Sequence, residues 1–490
     1  MNKKILHQVF EHIAENFSDR IAVEEAYKEE QQGKQQRTIT YRELNAGANK
    51  IAHALQEIGV KEGVVVGLSL PAGIDYIIAT LAVLKAGGVF MPLDADAPPK
   101  RLEFMLKKTE PHIILNKESL AKIVSDTDKF SDANLEITPD PQSANYIIFT
   151  SGSTGEPKAI LGRHVSLSHF IHWEISTFGL DENVRASLFA PTTFDVSFRD
   201  IFVPLLCGGT VCIPELDTMR NTPRLVDWME NSRITLVHCV PTMFRLIRKE
   251  LKSRKAINID YNPLPELQNI LLAGEALYGS DVIEWMDLVE ERIKLTNLYG
   301  PSETTLAKIH YRIKDKPLEP NRIIPLGEPI SNTAILILKD NRLCKVGEIG
   351  EIHIKTPFCS HGYYKEPELT AQSFIQNPLT ADSDIIYKTG DLGRYLPDHQ
   401  VEFIGRLDSQ VKINGIRIEL SEIESHLFAH KAIERPVVVA HALAEHESKL
   451  VCYYTLKESV QSRKENAQLL KERDSINSMK RDNTDNHSES

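Results

Sequence analysis

Residues 146–158 constrain this chain more than any other stretch. Tyr146-Ile147-Ile148-Phe149 is an apolar run that reads as a buried strand. It breaks at Thr150 into Ser151-Gly152-Ser153-Thr154-Gly155 and closes on Glu156-Pro157-Lys158. Glycines let a backbone approach a ligand closely and reach positive φ. Backbone N–H groups, the hydroxyls of Ser151, Ser153 and Thr154, and the Lys158 ammonium together make a donor-rich, cationic loop suited to a polyphosphate. Two familiar phosphate motifs do not fit. No glycine directly precedes Lys158, as a P-loop requires, and Gly152 and Gly155 lack the spacing of a dinucleotide fingerprint.

The loop sits in a chain of alternating strand and helix patterns. Residues 5–17 and 41–58 carry apolar side chains at helical spacing. Residues 64–70 read as a strand, 74–85 as a helix ended by Gly87-Gly88, and 89–93 as the next strand. Alternation at this pace predicts an α/β fold with a doubly wound, mostly parallel sheet. Residues 29–37, charged and Gln-rich, read as a loop. Residues 327–362 are β-rich and predict a small distorted β-barrel or sheet. Residues 410–418 read as a strand pair broken at Asn414-Gly415, Ser421-Glu422-Ile423-Glu424 as a capping box opening a helix, and 437–455 as a hairpin. The expected organisation is a large N-terminal domain over residues 1–407 and a small, incomplete α+β C-terminal subdomain over 408–456. A polar tail over 457–490 is expected to be disordered or a lone helix.

Composition narrows the function classes. A chain of 490 residues exceeds a single ordinary core. A net charge of −11 argues against non-specific nucleic-acid binding. No apolar run is long enough for a membrane span, and the N-terminus lacks a signal-type segment. Cys207, Cys212, Cys239, Cys344, Cys359 and Cys452 are scattered without a C-x-x-C pair, as in a reducing compartment. The expectation is a cytoplasmic protein with no nucleic-acid or membrane partner.

Thr150-Ser151-Gly152-Ser153-Thr154-Gly155 followed by Pro157-Lys158 resembles the phosphate loop of the adenylate-forming enzymes. Thr40-Tyr41-Arg42-Glu43-Leu44, Leu84-Lys85-Ala86-Gly87-Gly88, Tyr299-Gly300-Pro301-Ser302-Glu303, Thr389-Gly390-Asp391 and Gly405-Arg406-Leu407-Asp408 resemble further motifs of that superfamily in its order. The resemblance, which runs over residues 5–456, implies ATP-dependent formation of an acyl-adenylate, with Mg2+, followed by capture on a thiol. It implies that Thr150, Ser151, Gly152, Ser153, Thr154, Gly155 and Lys158 grip the phosphates. Tyr299 and Gly300 with Gly274 and Glu275 would flank adenine, Asp391 would hold the ribose, and Arg406 would meet ribose and phosphate. Glu303 is the implied metal ligand, Asp408 the hinge, and Gly415 a turn beside a pantetheine arm.

The same resemblance points to the adenylation domains of nonribosomal peptide synthetases, because Phe194-Asp195-Val196-Ser197 carries an Asp that in those domains pairs with a substrate α-ammonium. An acyl-CoA or aryl-acid ligase is the alternative within the superfamily. An impaired nucleotide- or carrier-binding relative is the alternative of another class. Pocket positions fall on Asp195, Val196, Arg199, His238, Leu271, Ala273, Leu298, Leu306 and Ala307. Asp195, Val196, His238, Leu271 and Leu298 resemble a serine-type pocket, from which Arg199, Ala273 and Ala307 depart. Arg199 either meets an anionic side chain, pairs with Asp200, or leaves the pocket. The implied partners are an amino acid and a phosphopantetheinyl carrier protein. No loop after Gly415 resembles the superfamily's C-terminal lysine loop. The small subdomain is therefore expected to be cut short, and a separate chain or module is one expected source of the missing segment.

Overall fold

The computed structural model describes residues 5–29, 33–125, 129–152, 156–289, 292–442 and 448–457. Contacts divide the chain into two units. One comprises Met1–Thr150, Pro157–Asp408 and Asn414–Ile416; the other comprises Ser151–Glu156, Ser409–Ile413 and Arg417–Ser490.

The first unit is α/β. Its five-stranded sheet runs Ile113–Leu115, Val65–Leu68, Val89–Pro92, Ala144–Thr150, Lys158–Arg163. The strands pair in parallel except the last, which folds back antiparallel with Lys158 opposite Thr150. Val65–Leu68 and Val89–Pro92 are buried at every position, as a strand covered on both faces must be. The helix Ile74–Lys85 is buried almost all round, so it lies inside the unit.

A nine-stranded sheet has the order Glu328–Pro329, Ile309–Ile313, Lys294–Tyr299, Asn269–Ala273, Leu236–Cys239, Arg185–Ser187, Thr210–Ile213, Ile21–Glu29, Gly33–Thr40. Its centre is parallel and its two edges antiparallel. The register aligns His238 with Leu271 and Ala273 with Leu298, so these side chains share one face.

The β-rich segment forms a six-stranded sheet built on Ala334–Lys339, Gly350–Lys355 and the long strand Ile385–Tyr395, with Val401–Arg406 paired to that last strand. Among the described residues no strand pair closes it into a barrel. No helix among them is long and apolar enough to cross a membrane.

Two local expectations are corrected. In the charged stretch at residues 29–37, read as a loop, Glu29 and residues 33–37 are strand. Its described part belongs to the hairpin of Ile21–Glu29 and Gly33–Thr40, at the edge of the nine-stranded sheet. An edge strand has no covered outer side and tolerates polar sequence. The helix after the Asn414-Gly415 turn begins at Leu420 with Glu419 as its N-cap and no side-chain cap, so Ser421 heads no capping box. That motif forms instead at Thr40 and Glu43, each side chain bonded to the other's backbone N–H, at the start of Tyr41–Glu57.

The second unit contains that helix, Leu420–Phe428, and the hairpin Ile433–Ala442 with Ser448–Leu456. Glu424 ties helix to hairpin by accepting from the Val438 N–H at 2.8 Å. The tail expected from residue 457 onward lies, beyond Lys457, outside the described residues.

Candidate functional site

Tyr299 ends the strand Lys294–Tyr299, and Asp391 lies within Ile385–Tyr395. The Tyr299 hydroxyl donates to Asp391, and so does Nη1 of Arg406. Burial and the adjacent Asp391 carboxylate push the Tyr299 phenol well above its ordinary range, so it remains a donor. The other side of the Arg406 guanidinium grips Asp408, Nε to Oδ1 at 2.6 Å and Nη2 to Oδ2 at 2.7 Å. The expected ribose, adenine and hinge residues therefore form one network through Arg406.

Gly274 follows the strand Asn269–Ala273 with φ +95°, a conformation that suits glycine. Its neighbour Glu275 accepts from the N–H and hydroxyl of Thr242 at 2.9 and 2.7 Å, and from the N–H of Gly415 at 2.9 Å. Gly300 is required for space. A Cβ there would stand 2.2 Å from the Leu306 carbonyl oxygen and 2.8 Å from the Lys308 nitrogen. The segment between them doubles back, with Thr305 and Leu306 at φ +64° and +60°. A β-branched residue in that region stores backbone strain, a common mark of functional sites.

Lys158 points its ammonium over the Tyr363 ring, 5.6 Å from the centroid, and the Tyr363 hydroxyl donates to Glu303 at 2.9 Å. Glu303 is fully buried, and the Thr150 hydroxyl oxygen is buried without a hydrogen-bond partner. Ser151 and Gly152 belong to the second unit, where the Ser151 hydroxyl donates to the Arg417 carbonyl at 2.8 Å. Ser153, Thr154 and Gly155 lie outside the described residues. Among the described residues no three His, Cys, Asp or Glu side chains gather as a metal site. One buried carboxylate suits a Mg2+ that takes its remaining oxygens from phosphate and water.

Asp195 is the N-cap of the helix Val196–Cys207, yet its side chain makes no capping bond. Burial raises its pKa; a hydrogen bond from Ser302 works the other way, and the charge of Glu303 adds to the rise. Leu271, Leu298, Leu306 and Ala307 are buried in one apolar cluster, against which Val196 and Ala273 pack. Six of the expected pocket residues thus lie in or against the same apolar core.

His238 is fully engaged. Its Nδ1 lies 2.8 Å from Asp200 Oδ1 and its Nε2 lies 2.7 Å from Glu174 Oε1. Burial opposes the charged ring, but the two carboxylates prevail and raise its pKa. Asp200 completes its bonding with the N–H groups of Phe189 and Ala190. Asp200 is therefore not the partner of Arg199, and Arg199 does not leave the interior: it is 4% exposed.

Sequence reasoning passed over Glu174, Lys308 and Tyr363. Glu174 was detectable, since it falls on the stripe Leu167, Phe170, Ile171 at helical spacing, where a carboxylate is out of place unless paired. Lys308 is completely buried, donates to the Thr305 carbonyl at 2.8 Å, and has its pKa lowered by burial to about 7. Tyr363 carries no local signal.

A family model described as AMP-binding enzyme matches residues 10–364. Tyrocidine synthase 1 of Brevibacillus parabrevis is 33% identical over 466 residues, which is 92% of this chain and 40% of that protein. The chain thus spans less than half of this relative. A solved nonribosomal peptide synthetase, FmoA3, in an alpha-methyl-L-serine-AMP bound form, superposes with a TM-score of 0.73 at 27% identity, covering 82% of this chain and 45% of that one. NpsA-ThdA, an artificially fused adenylation–PCP di-domain from Klebsiella oxytoca, gives a TM-score of 0.79 at 23% identity over 94% of this chain and 90% of that one, a likeness of fold.

Proposed function

The chain belongs to the AMP-binding enzyme family, and on that premise we propose that it activates an amino acid with ATP and passes it to a carrier thiol. A carboxylate oxygen of the amino acid attacks the α-phosphorus, the bond to pyrophosphate breaks, and aminoacyl-adenylate forms. The thiol of a phosphopantetheinyl carrier protein then attacks the acyl carbon and AMP leaves. The protein's work is alignment of two anions and neutralisation of charge as it develops.

Lys158 and the Thr150 hydroxyl hold the phosphates. Tyr299 lies against adenine with Gly274, Glu275 and Gly300, and Asp391 holds the ribose. Arg406, now on Asp391, stands ready for a phosphate oxygen. Glu303 is the residue that would hold Mg2+, which when bound screens the phosphate charge from the incoming carboxylate. Residues 1–407 are read as the adenylation core, with Asp408 as hinge to the smaller subdomain over 408–456. The cytoplasm, where pantetheinylated carriers act, is the proposed location.

The observation that carries an amino acid substrate is Asp195. It is a buried carboxylate at a helix start that does not cap the helix, with a hydroxyl bond that favours its charge. A buried anion needs a cation, and a substrate ammonium supplies one. The FmoA3 structure supports the same class, since it is a nonribosomal peptide synthetase in an alpha-methyl-L-serine-AMP bound form.

Trapping with hydroxylamine tests the reading. With ATP and Mg2+, an amino acid should give hydroxamate and pyrophosphate, and its des-amino analogue should give far less. Preference for fatty or aryl acids would move the protein to the acyl-CoA ligase branch. In Asp195→Ala the discrimination between an amino acid and its des-amino analogue should disappear.

A further inference from the structure

Arg199 lies one helical turn after Asp195 on the helix Val196–Cys207, and its side chain is buried. Its Nε has no hydrogen-bond partner. Among the described residues no carboxylate comes within ion-pair distance of the guanidinium. The nearest candidates are committed elsewhere: Asp200 and Glu174 both bond to His238. A buried guanidinium with unmet donors is costly, and the cost is recovered when a ligand supplies the acceptors.

The surroundings say what kind of ligand. The guanidinium is near enough to Asp195 to favour its ionised form, and near enough to His238 to oppose its protonation. Leu271, Leu298, Leu306 and Ala307, buried in the apolar core of the same unit, offer no side-chain acceptor. In such a medium an ionic partner is held more strongly than in water.

We propose that Arg199 is a specificity-determining residue that receives a carboxylate on the substrate side chain, so that the amino acid activated is an acidic one. This rests on the adenylation reading above and narrows its substrate. The planar fork of Arg199 takes two carboxylate oxygens at once, while Asp195 takes the ammonium.

Binding of non-hydrolysable aminoacyl-sulfamoyl-adenosines to the full chain separates the two levels of the claim. Aspartyl, glutamyl, glutaminyl, seryl and leucyl forms are titrated by calorimetry against wild type, Arg199→Leu and Arg199→Lys. Wild type should bind one of the acidic forms about 10- to 100-fold more tightly than the glutaminyl isostere, the range set by a charge-assisted bond pair. Arg199→Leu should erase that preference, and Arg199→Lys should retain part of it. Binding of ATP alone reports whether each variant is folded. If Arg199→Leu does not fold, the glutamyl–glutaminyl comparison in wild type still decides. Neutral forms binding as tightly as acidic ones would overturn the role of Arg199 while leaving adenylation standing. Failure of every aminoacyl form, with ATP still bound, would overturn the adenylation reading and this inference with it.

Discussion

His238 and Asp200 are joined inside the first unit by a 2.8 Å hydrogen bond, and the other ring nitrogen of His238 is closed by Glu174 at 2.7 Å. The imidazole ring is thus sandwiched between two carboxylates, its side chain 1% exposed. Replacing it leaves two buried anions unpaired. His238→Leu should lose about 3–5 kcal/mol of unfolding free energy, measured by urea denaturation. Glu174→Gln, which keeps shape and one acceptor, should lose less. A His238→Leu protein as stable as wild type would show that the cluster does not carry charge.

The histidines impose a pH dependence of known sign. The pKa of His238 is raised, so its contribution is fully present below the ordinary value of 6.5 and fades as pH rises through the raised value. His7, His164 and His169 run the other way. Burial lowers them to about 3, about 4 and about 4. Below 6.5 the unfolded chain takes up protons that the folded chain refuses. Stability should therefore fall as pH drops from 6.5 towards 4, by about 1.4 kcal/mol per pH unit for each such histidine. Denaturation midpoints across that range check it, and His164→Gln should flatten the slope.

Lys158→Ala should weaken ATP binding by about 1.5–3 kcal/mol, the value of a hydrogen bond to a charged group. Calorimetry with a non-hydrolysable ATP analogue measures this. Unchanged affinity would remove Lys158 from the phosphate site.

Gly300→Ala should be far more damaging than its size suggests. The new Cβ would meet backbone atoms of Leu306, Ala307 and Lys308, none of which can swing aside. A loss of about 2–3 kcal/mol is expected from overpacking, with adenylation reduced because Glu303, Leu306 and Ala307 ride on the displaced segment. Thermal unfolding and hydroxamate formation report the two effects.

The parallel core was legible in the sequence because burial on both faces forces short apolar runs, as at Val65–Leu68 and Val89–Pro92. The family was legible because its motifs keep glycines and hydroxyls at fixed spacing. The edge strand Gly33–Thr40 was not, since an uncovered edge imposes no alternation. Placement of a capping box at Ser421 failed because Ser-x-x-Glu recurs inside helices as readily as at their starts. The Tyr299–Asp391–Arg406 network joins residues 92 and 15 positions apart. Strand pairing creates those contacts, and local sequence does not encode them. The fate of Arg199 turned on whether His238 or Arg199 would claim Asp200, which only packing decides.

ATP–pyrophosphate exchange over an amino acid panel isolates the adenylation step, because it reads reversible adenylate formation and nothing after it. Labelled pyrophosphate should enter ATP only when an amino acid is present, most rapidly with an acidic one, and Asp195→Ala should abolish the requirement for the α-amino group. Exchange driven equally by des-amino acids, or no exchange with any amino acid by a folded chain that binds ATP, would contradict amino acid adenylation.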